Sequence, residues 1–507
     1  MPPDPTAAVR RTAYLLIGAV AVFIVAGKIV GGENVIEPSR YAPPSEQSFD
    51  FDRPDKPTRK WPPARPEPSP FYSSNDKSRW ATVRALVDQG TYVVGRRENF
   101  TATDPPFNDT GVIFEPEYQS LDKVMNPDTG EFYSSKPPLF ATVLAGGYWA
   151  LKKAFGWHLV RDRWLVIPTL LILVNVVPFA VYLALLANLI EAAGKTDFGK
   201  LTAFAAACFG TYLTTFSGTL NNHNPGAFCV LFATYPLIRA AFENRDMGPG
   251  GYVCAGLFGG LAVTFELPAA ALLAGVGLPL LVARWRPTLF IFLPLAALPI
   301  GCELLTNYLA FGDLTPAYAR FGGPWYEYEG SHWTKLKLPI GHRDRTGIDF
   351  AAEPKDRYAF HLLFGHHGWF SLTPVWLLGF AGLAMTGAGA AKELARLAPG
   401  GKGAAFTPPL VAAMTLAVSA VVMAFYITRT NNYGGFTSGP RWFFWLTPLW
   451  LVAIPPAADR LAGSRGGRLL VAVLLGFSVL SAFYPAWNPW RPPWILQLLE
   501  FRGDVRY

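Results

Sequence analysis

The sequence has little charge and little cysteine for its length. Charged residues make up 16% of the 507 positions, hydrophobic residues make up 51%, and the mean hydropathy is +0.23. This balance excludes an ordinary soluble globular protein, in which about 25% of residues are charged. All 4 cysteines lie inside apolar stretches and lack CxxC spacing: Cys208, Cys229, Cys254 and Cys302. Neither a disulfide framework nor a cysteine-ligated zinc site is therefore predicted.

The basic residues are spread along the chain and form no long run. A formal net charge of +8 and an isoelectric point near 9.2 could favour a nucleic-acid partner. The lysines and arginines lie between apolar blocks, however, without the interleaved aromatic residues of a nucleic-acid surface. We interpret them as topology signals and expect no nucleic-acid partner.

What the sequence does have is a series of apolar blocks long enough to cross a membrane. The first, about 13–30, follows Arg10 and Arg11 and is either a cleaved signal peptide or an uncleaved anchor; its length favours an anchor. Further blocks lie near 165–190, 201–220, 225–242, 252–266, 267–283, 287–311, 369–387, 408–428, 442–457 and 468–485. The pattern predicts an all-α polytopic membrane protein with about eleven transmembrane helices.

The alternation of polar and apolar segments predicts how the chain is organised. The predicted regions are a cytoplasmic tail (1–11), a first transmembrane anchor (12–32), a proline-rich outer tether (33–71), an outer juxtamembrane segment (72–163), a multi-span domain (164–485) with an outer loop (312–365), and an outer interfacial tail (486–507). Nine prolines within 41–70 favour an extended tether.

The topology depends on the block 138–155, which either spans the membrane or lies at its interface. In the interfacial case every short cytoplasmic loop is basic, with Lys195, Lys200, Arg239, Arg245, Arg284, Arg286, Lys392, Arg396, Lys402, Arg460, Arg465 and Arg468. The positive-inside rule favours that case. It places the polar clusters at the outer face of the plasma (inner) membrane, towards the periplasm or exterior. A transporter would instead carry polar groups near the bilayer midplane in repeated, broken helices.

Two outer stretches contain the candidate chemistry. In YSSNDKSRWATVRALVDQGTY (72–92), Ser74 or Asn75 can cap an amphipathic helix that lies flat in the headgroup region, with Asp76 in its first turn. Asp76 is then either a favourable helix-terminal charge or a catalytic acid. In LDKVMNPDTGEFYSSKPPL (121–139), NPDTG reads as a turn between two extended runs, after which Lys136 reaches the membrane surface.

These motifs, DKSRWA (76–81) and YSSKP (133–137), follow a first span in an order that resembles the GT-C superfamily of membrane glycosyltransferases. Within it, the likeness is to aminoarabinose transferases and protein O-mannosyltransferases, which have Asp-Glu-x-Arg-aromatic-Ala and aromatic-x-Glu-Lys-Pro patterns. The resemblance covers mainly 12–285. Lys77 and Ser135 stand where the relatives often have Glu.

The resemblance implies a GT-C-like bundle with an outer juxtamembrane helical segment, acting on a sugar carried by a polyprenyl phosphate. Asp76 would take the proton of the acceptor hydroxyl. The leaving phosphate needs cations, for which Lys136, Arg79 and Arg441 are the candidates. The other partners implied are membrane lipids and a lipid, glycan or protein acceptor.

No cofactor is expected, because both departures from the family pattern remove acids that could bind a divalent metal. A metal site formed by Asp76, His223, His366 and His367 nevertheless remains an open alternative.

Other polar residues lie at predicted outer ends of spans, and each has an ordinary structural alternative. Asn222 and His223 can bind a sugar or a diphosphate, or cap two helices. Glu266 borders the cavity or is a helix-end carboxylate in water. Arg441 binds phosphate or anchors its helix to lipid headgroups. His366 is a further substrate-contact candidate, and the loop 312–365 either shapes acceptor specificity or forms an aromatic belt.

Two other functions stay open from the sequence. A ligase or polymerase of preassembled lipid-linked glycan would depend on basic phosphate contacts more than on one essential acid. A lipid-linked-sugar flippase would move the donor across the membrane without chemistry.

Overall fold

The computed structural model describes residues 6–31, 69–100, 107–395, 405–505 and 507. Its helices are α1 (Ala7–Gly31), α2 (Ser74–Asp88), α3 (Pro138–Phe155), α4 (Arg163–Leu171), α5 (Val177–Ala193), α6 (Asp197–Phe209), α7 (Tyr212–Phe216), α8 (His223–Glu243), α9 (Gly248–Phe265), α10 (Ala270–Ala283), α11 (Trp285–Pro287), α12 (Leu293–Phe311), α13 (Lys355–Leu363), α14 (Trp369–Leu372), α15 (Trp376–Gly387), α16 (Ala390–Ala395), α17 (Pro408–Arg429), α18 (Thr447–Val452), α19 (Ile454–Leu461), α20 (Arg465–Phe483) and α21 (Trp494–Arg502). Short π-helical segments, Ile172–Val176 and Thr288–Phe292, join α4 to α5 and α11 to α12.

Within these described ranges, 7 helical segments are long and apolar enough to cross a membrane: Ala7–Gly31, Arg163–Ala193, His223–Glu243, Gly248–Phe265, Trp285–Phe311, Pro408–Arg429 and Arg465–Phe483. Leu267–Ala283 and Trp376–Gly387 are shorter apolar helices. The predicted all-α polytopic membrane fold is confirmed. The predicted number of about eleven spans is not established, because other predicted blocks are interrupted; 201–220, for example, breaks between α6 and α7.

Contacts at both ends of α1 show how the helices α5 to α7 are arranged beside it. Near its start, Arg10 donates to Glu191 Oε2 at 2.7 Å, at the end of α5, and also to the carboxylate of Asp197, the first residue of α6. Near its other end, Lys28 Nζ donates to the carbonyl of Thr215 in α7 at 3.0 Å. The α6–α7 segment therefore runs along the length of α1 despite its break. α1 itself starts at Ala7, inside the predicted tail, and the tether residues 33–68 lie outside the described ranges.

Two of the predicted cytoplasmic loops meet at the Arg10 end of the bundle. The carboxylate of Asp459 accepts hydrogen bonds from the backbone N–H groups of Lys195 and Thr196 at 2.7 and 3.0 Å. At the opposite end, Lys28 lies over the ring of Tyr72, which borders the site described below. The site and these basic loops are thus at opposite ends of the bundle, and which end faces outward stays a prediction.

A small antiparallel sheet lies beside α2. Its strands in the described residues are β1 (Gly95–Arg97), β2 (Asp109–Thr110), β3 (Lys123–Met125) and β4 (Glu131–Ser134), in the spatial order β2-β1-β4-β3. β3 and β4 form a hairpin in which Lys123 pairs with Ser134, which confirms the two extended runs predicted around NPDTG. Gly130 closes the turn with φ +69°, a conformation that glycine adopts without strain.

The amphipathic pattern of α2 predicts a helix that lies flat on the membrane surface. In the structure, α2 is instead packed inside the protein. Trp80, Ala81 and Val83 are fully buried, and the hydroxyl of Ser78 lies 2.6 Å from that of Ser134 in β4. At the other end of the helix, the Asp88 carboxylate accepts a hydrogen bond from the Tyr148 hydroxyl of α3 at 3.1 Å. The polar residues that suggested a solvated face instead bond to the sheet and to α3, so α2 is held between them.

Candidate active site

A cavity of about 530 Å³ lies where α2, the β3–β4 hairpin, the start of α8 and the corner between α9 and α10 come together. The loop 312–365 and the segment 432–442 complete its wall. Its charged lining residues are Arg79, Asp122, Lys136, Glu266, Asp349 and Arg441. Six of the residues predicted to contact substrate are therefore brought together here: Arg79, Lys136, Asn222, His223, Glu266 and Arg441.

The hairpin places an acid beside the predicted lysine. Because Lys123 pairs with Ser134, Asp122 and Lys136 leave the two strands next to each other, and their Oδ1 and Nζ atoms lie 2.6 Å apart. Burial raises the pKa of Asp122, but Lys136, Arg441 and Arg79 outweigh that effect and hold it below its usual value. The backbone is also fixed, since Ser135 N–H and the Ser78 hydroxyl both donate to the Asp122 carbonyl. Asp122 is thus an ionised, well-positioned carboxylate at neutral pH.

Arg79 projects from α2 into the same region. Its Nη2 donates to Asn222 Oδ1 at 2.8 Å and its Nη1 donates to the Asn75 side chain, while Nε is buried with no hydrogen-bond partner among the described residues. Burial lowers the pKa of Arg79 to about 10, against the opposing effect of Asp122 and other carboxylates. The side chain remains a cation at neutral pH.

Arg441 is the least satisfied cation of the site. Its Nε and Nη1 are both buried without a hydrogen-bond partner among the described residues, and its guanidinium carbon lies 4.8 Å from the ring centre of Trp490. Gly434, at φ +97°, leaves room for it, because a Cβ there would come within 3.1 Å of Arg441 Nε. A planar fork of N–H donors with no acceptor suits an anion such as phosphate.

Asn222, His223 and Glu266 form a connected group at the start of α8. Glu266 Oε1 accepts a hydrogen bond from Asn222 Nδ2 at 2.7 Å and lies 2.5 Å from His223 Nδ1. Burial raises the pKa of Glu266 to about 8, against the effect of Arg441 and Arg79, so at neutral pH its carboxyl is mostly protonated and donates to His223 Nδ1. Nε2 is buried and has no partner within the described chain. The protonated Glu266 therefore orients the His223 ring, whose Nε2–H can donate a hydrogen bond to a ligand at the cavity wall.

The structure places Asp76 in a helix cap. Its two carboxylate oxygens accept the backbone N–H groups of Tyr72 and Ser73, each at 2.7 Å, and the Ser73 side chain accepts the Asp76 N–H in return. This is a capping box, and the N-cap is Ser73, one residue before the predicted Ser74. Among the described residues that line the cavity, Tyr72 and Ser73 are present and Asp76 is not. Of the two alternatives for Asp76, a helix-terminal charge or a catalytic acid, the first therefore accounts for the position and hydrogen bonds of its carboxylate.

We expect Asp76→Asn to destabilise the protein by about 1–2 kcal/mol, because one of two backbone N–H groups would then face an amide NH₂. The measurement is the free energy of unfolding of the purified protein in detergent. Asp128→Asn, in the exposed hairpin turn, is the matched control and should change stability by less than about 0.5 kcal/mol. Equal stability of both variants would contradict the capping assignment.

His366, predicted to contact substrate, lies away from the cavity lining. It packs against His361, His367 and Tyr433, and its Nδ1 is 2.6 Å from His367 Nδ1. The structure thus separates His366 and His367 from His223 and from Asp76, so the open alternative of a metal site formed by all four does not match the geometry. A substrate contact for His366 is not supported by its position.

Sequence reasoning missed Asp122 and Asp349. Asp122 could have been found from the hairpin prediction itself, because a turn at NPDTG places it opposite Ser135 and beside Lys136. Asp349 comes from the loop 312–365 and lies 3.3 Å from His332 Nε2. No local pattern marks it, since its place at the cavity depends on how that long loop folds back.

A second, apolar cavity of about 500 Å³ adjoins the first. Arg79, Pro137, Asn222, Thr264 and Phe265 line both. Its other walls are side chains of α3, α5, α8, α9 and α12, among them Phe140, Phe228, Phe258 and Leu298. A molecule with a charged head and an apolar tail can occupy the two cavities together.

No family model matches the chain, and no curated protein matches it. Among solved structures, the chain is similar to the oligosaccharyltransferase of Archaeoglobus fulgidus in its apo form, with 12% sequence identity and a TM-score of 0.48 over 97% of this chain and 58% of that one. A complex of the archaeal oligosaccharyltransferase from Archaeoglobus fulgidus with an inhibitory peptide and a dolichol-phosphate gives 13% identity and a TM-score of 0.46, over 98% and 58%.

The chain thus spans less than two thirds of the length of these neighbours. The resemblance of the motifs to the GT-C superfamily, and within it to the aminoarabinose and O-mannosyltransferase subgroup, stays a prediction. At this identity and TM-score, the likeness assigns no activity, substrate or site residue to this chain.

Proposed function

We propose that this protein is a membrane glycosyltransferase that moves a sugar from a polyprenyl-phosphate carrier to an acceptor hydroxyl. The observation that supports it most directly is the group of buried N–H donors on Arg79 and Arg441 that have no acceptor within the described chain. Unpaired buried cations are costly, and a bound phosphate would satisfy them. Lys136 adds a third positive charge at the same wall.

The adjoining apolar cavity supports a lipid carrier. Its lining lies mainly on helices apolar enough to span a membrane, so a polyprenyl chain can enter from the bilayer while its phosphate meets Arg79. The shared residues Pro137 and Phe265 mark the passage between the head and tail regions. A water-soluble nucleotide-sugar would leave this apolar space unused.

The cavity residues suit a direct displacement at the anomeric carbon. The acceptor oxygen forms a bond to that carbon as the bond to the phosphate oxygen breaks, and the polyprenyl phosphate leaves with the electron pair. Asp122 accepts the acceptor proton, in the role that the motif resemblance gave to Asp76. Arg441, Arg79 and Lys136 stabilise the charge that develops on the leaving phosphate.

Several further features belong to the same proposal. The acceptor is a lipid, glycan or protein, and the loop 312–365 borders the cavity through Tyr318, Tyr326 and Trp333. The membrane is the plasma (inner) membrane, with the cavity towards the periplasm or exterior, because the basic loops at 195–200 and 460–468 lie at the other end. No metal ion is assigned to the transfer step.

The test is transfer by the purified full-length protein in liposomes that contain polyprenyl-phosphate sugars labelled in the sugar, together with a membrane extract as the acceptor source. The expected result is labelled acceptor with stoichiometric release of polyprenyl phosphate. Movement of intact donor across the bilayer without bond cleavage would favour the flippase. A parallel reaction contains a glycan labelled in its sugars and carried on polyprenyl diphosphate; transfer of that glycan with release of polyprenyl diphosphate, and no transfer from polyprenyl-phosphate sugar, would favour the ligase.

A further inference from the structure

A second group of chemically active side chains lies outside the cavity. Glu353 precedes α13, His361 is on α13, and His366 follows that helix. Each residue offers one atom that can bind a metal ion, and these three atoms lie within 4.8 Å of one another. Among the described residues, this is the group of His, Cys, Asp or Glu side chains close enough together to hold a metal ion. His366 is fully buried and His361 nearly so.

The spacing within this group is too wide for hydrogen bonding and close to that of a metal site. His361 Nε2 lies 4.0 Å from Glu353 Oε1, and the rings of His361 and His366 stack with their centres 4.0 Å apart. Gly365 permits this arrangement, because a Cβ there would come within 2.3 Å of His361 Nδ1. Ligands of a tetrahedral zinc ion, at about 2.0–2.2 Å from it, are about 3.3 Å apart. Zinc binding therefore requires the two rings to leave their stack so that both Nε2 atoms point at the ion, and it requires Arg357, 3.3 Å from Glu353 Oε1, to give up that contact.

Two further contacts prepare this group for a cation. His361 Nδ1 is buried without a hydrogen-bond partner among the described residues, so the ring is not held by hydrogen bonding. His367 Nδ1 lies 2.6 Å from His366 Nδ1 and can accept its proton, which directs the lone pair of His366 Nε2 at the Tyr507 hydroxyl, 2.5 Å away, a partner that a bound ion would replace. A neighbour that fixes the tautomer of a ligating histidine in this way is common at zinc sites.

We propose that Glu353, His361 and His366 bind one zinc ion through a carboxylate oxygen and two Nε2 atoms. Two imidazoles and one carboxylate form a ligand set that zinc prefers. The fourth ligand is water or the hydroxyl of Tyr507, which lies 2.5 Å from His366 Nε2 and 3.1 Å from Glu353 Oε1. The proposal does not depend on the proposed sugar transfer.

The role of this zinc site is structural. The other carboxylate oxygen of Glu353 accepts a hydrogen bond from the Tyr433 hydroxyl, and Gly434 and Gly435, which follow in sequence, line the cavity. Gly434 also packs against Arg441. A zinc ion would therefore fix the end of the loop 312–365 to the cavity wall without contacting the reacting atoms.

The test is zinc binding by the full-length protein in detergent, after chelation and dialysis, measured by calorimetry with ZnCl₂ alone. We expect one zinc ion per chain and a higher unfolding temperature with zinc. His361→Gln and Glu353→Gln should each weaken binding by more than about tenfold. His342→Gln, at a half-buried histidine of the same loop that contacts Asp344, is the matched control and should bind as the wild type does.

Zinc-edge X-ray absorption on the wild type gives a readout that does not depend on a variant folding. A spectrum with two imidazole ligands supports the site, whereas a spectrum of oxygen ligands alone would overturn it. Absence of zinc binding by the wild type, or wild-type affinity in both ligand variants, would overturn it as well.

Discussion

Asp122→Asn is expected to lower the rate of sugar transfer by about a hundredfold or more while leaving donor binding within a few-fold of wild type. The amide cannot accept the acceptor proton, yet Arg79 and Arg441 remain to bind the phosphate. The measurement is single-turnover transfer, with donor affinity determined separately. Lys136 loses its 2.6 Å partner in this variant, so the free energy of unfolding must be measured beside it.

The pH profile separates Asp122 from Asp76. Lys136, Arg441 and Arg79 keep the pKa of Asp122 below its usual value in spite of burial, so transfer that depends on it should persist as pH falls towards the ordinary aspartate range. Burial raises the pKa of Asp76 to about 6, so a reaction that uses Asp76 as base should decline below that pH. A decline of wild-type transfer near pH 6, together with loss of transfer in Asp76→Asn and full transfer by Asp122→Asn, would return the role of base to Asp76.

Arg441→Met should weaken donor binding by about a hundredfold and raise the stability of the donor-free protein. Hydrogen bonds to charged groups contribute about 1.5–3 kcal/mol each, and the two donors Nε and Nη1 would both be lost. The same change removes a buried charge without an acceptor, which costs the empty protein free energy. Burial already lowers the pKa of Arg441, against the effect of Asp122 and Glu266. The measurements are donor affinity and the unfolding midpoint without donor.

Two companion variants test whether the guanidinium shape matters. Arg441→Lys keeps a charge but not the planar fork, and should still weaken binding by about tenfold. Arg343→Met, at a residue whose side chain is 89% exposed, should change neither donor affinity nor stability. Unchanged donor binding in Arg441→Met would remove this residue from the phosphate site and favour its other reading, an anchor to lipid headgroups.

The β3–β4 hairpin is an element that the local sequence pattern predicts correctly. NPDTG between two short extended runs predicted β3 and β4, and the pairing of Lys123 with Ser134 follows from that turn. The consequence for Asp122 was available from the same pattern, because register places the residues that flank two paired strands side by side. The opposite case is α2, in which the alternation of polar and apolar residues predicted one face exposed to solvent. In the structure, Ser78 bonds to the hairpin and Asp88 bonds to α3.

The sequence by itself determined that this is a helical membrane protein with polar clusters gathered between its apolar blocks, and it identified the cations Arg79, Lys136 and Arg441. These properties follow from hydropathy and local motifs. Only the tertiary structure decided that Asp349 reaches the cavity and Asp76 does not, that Arg79 donates to Asn222, and that Glu353 lies beside His361 and His366. Those outcomes depend on side-chain direction and on packing between segments far apart in sequence. The Asp76 carboxylate shows the effect of direction, because two backbone hydrogen bonds hold it at the start of its own helix.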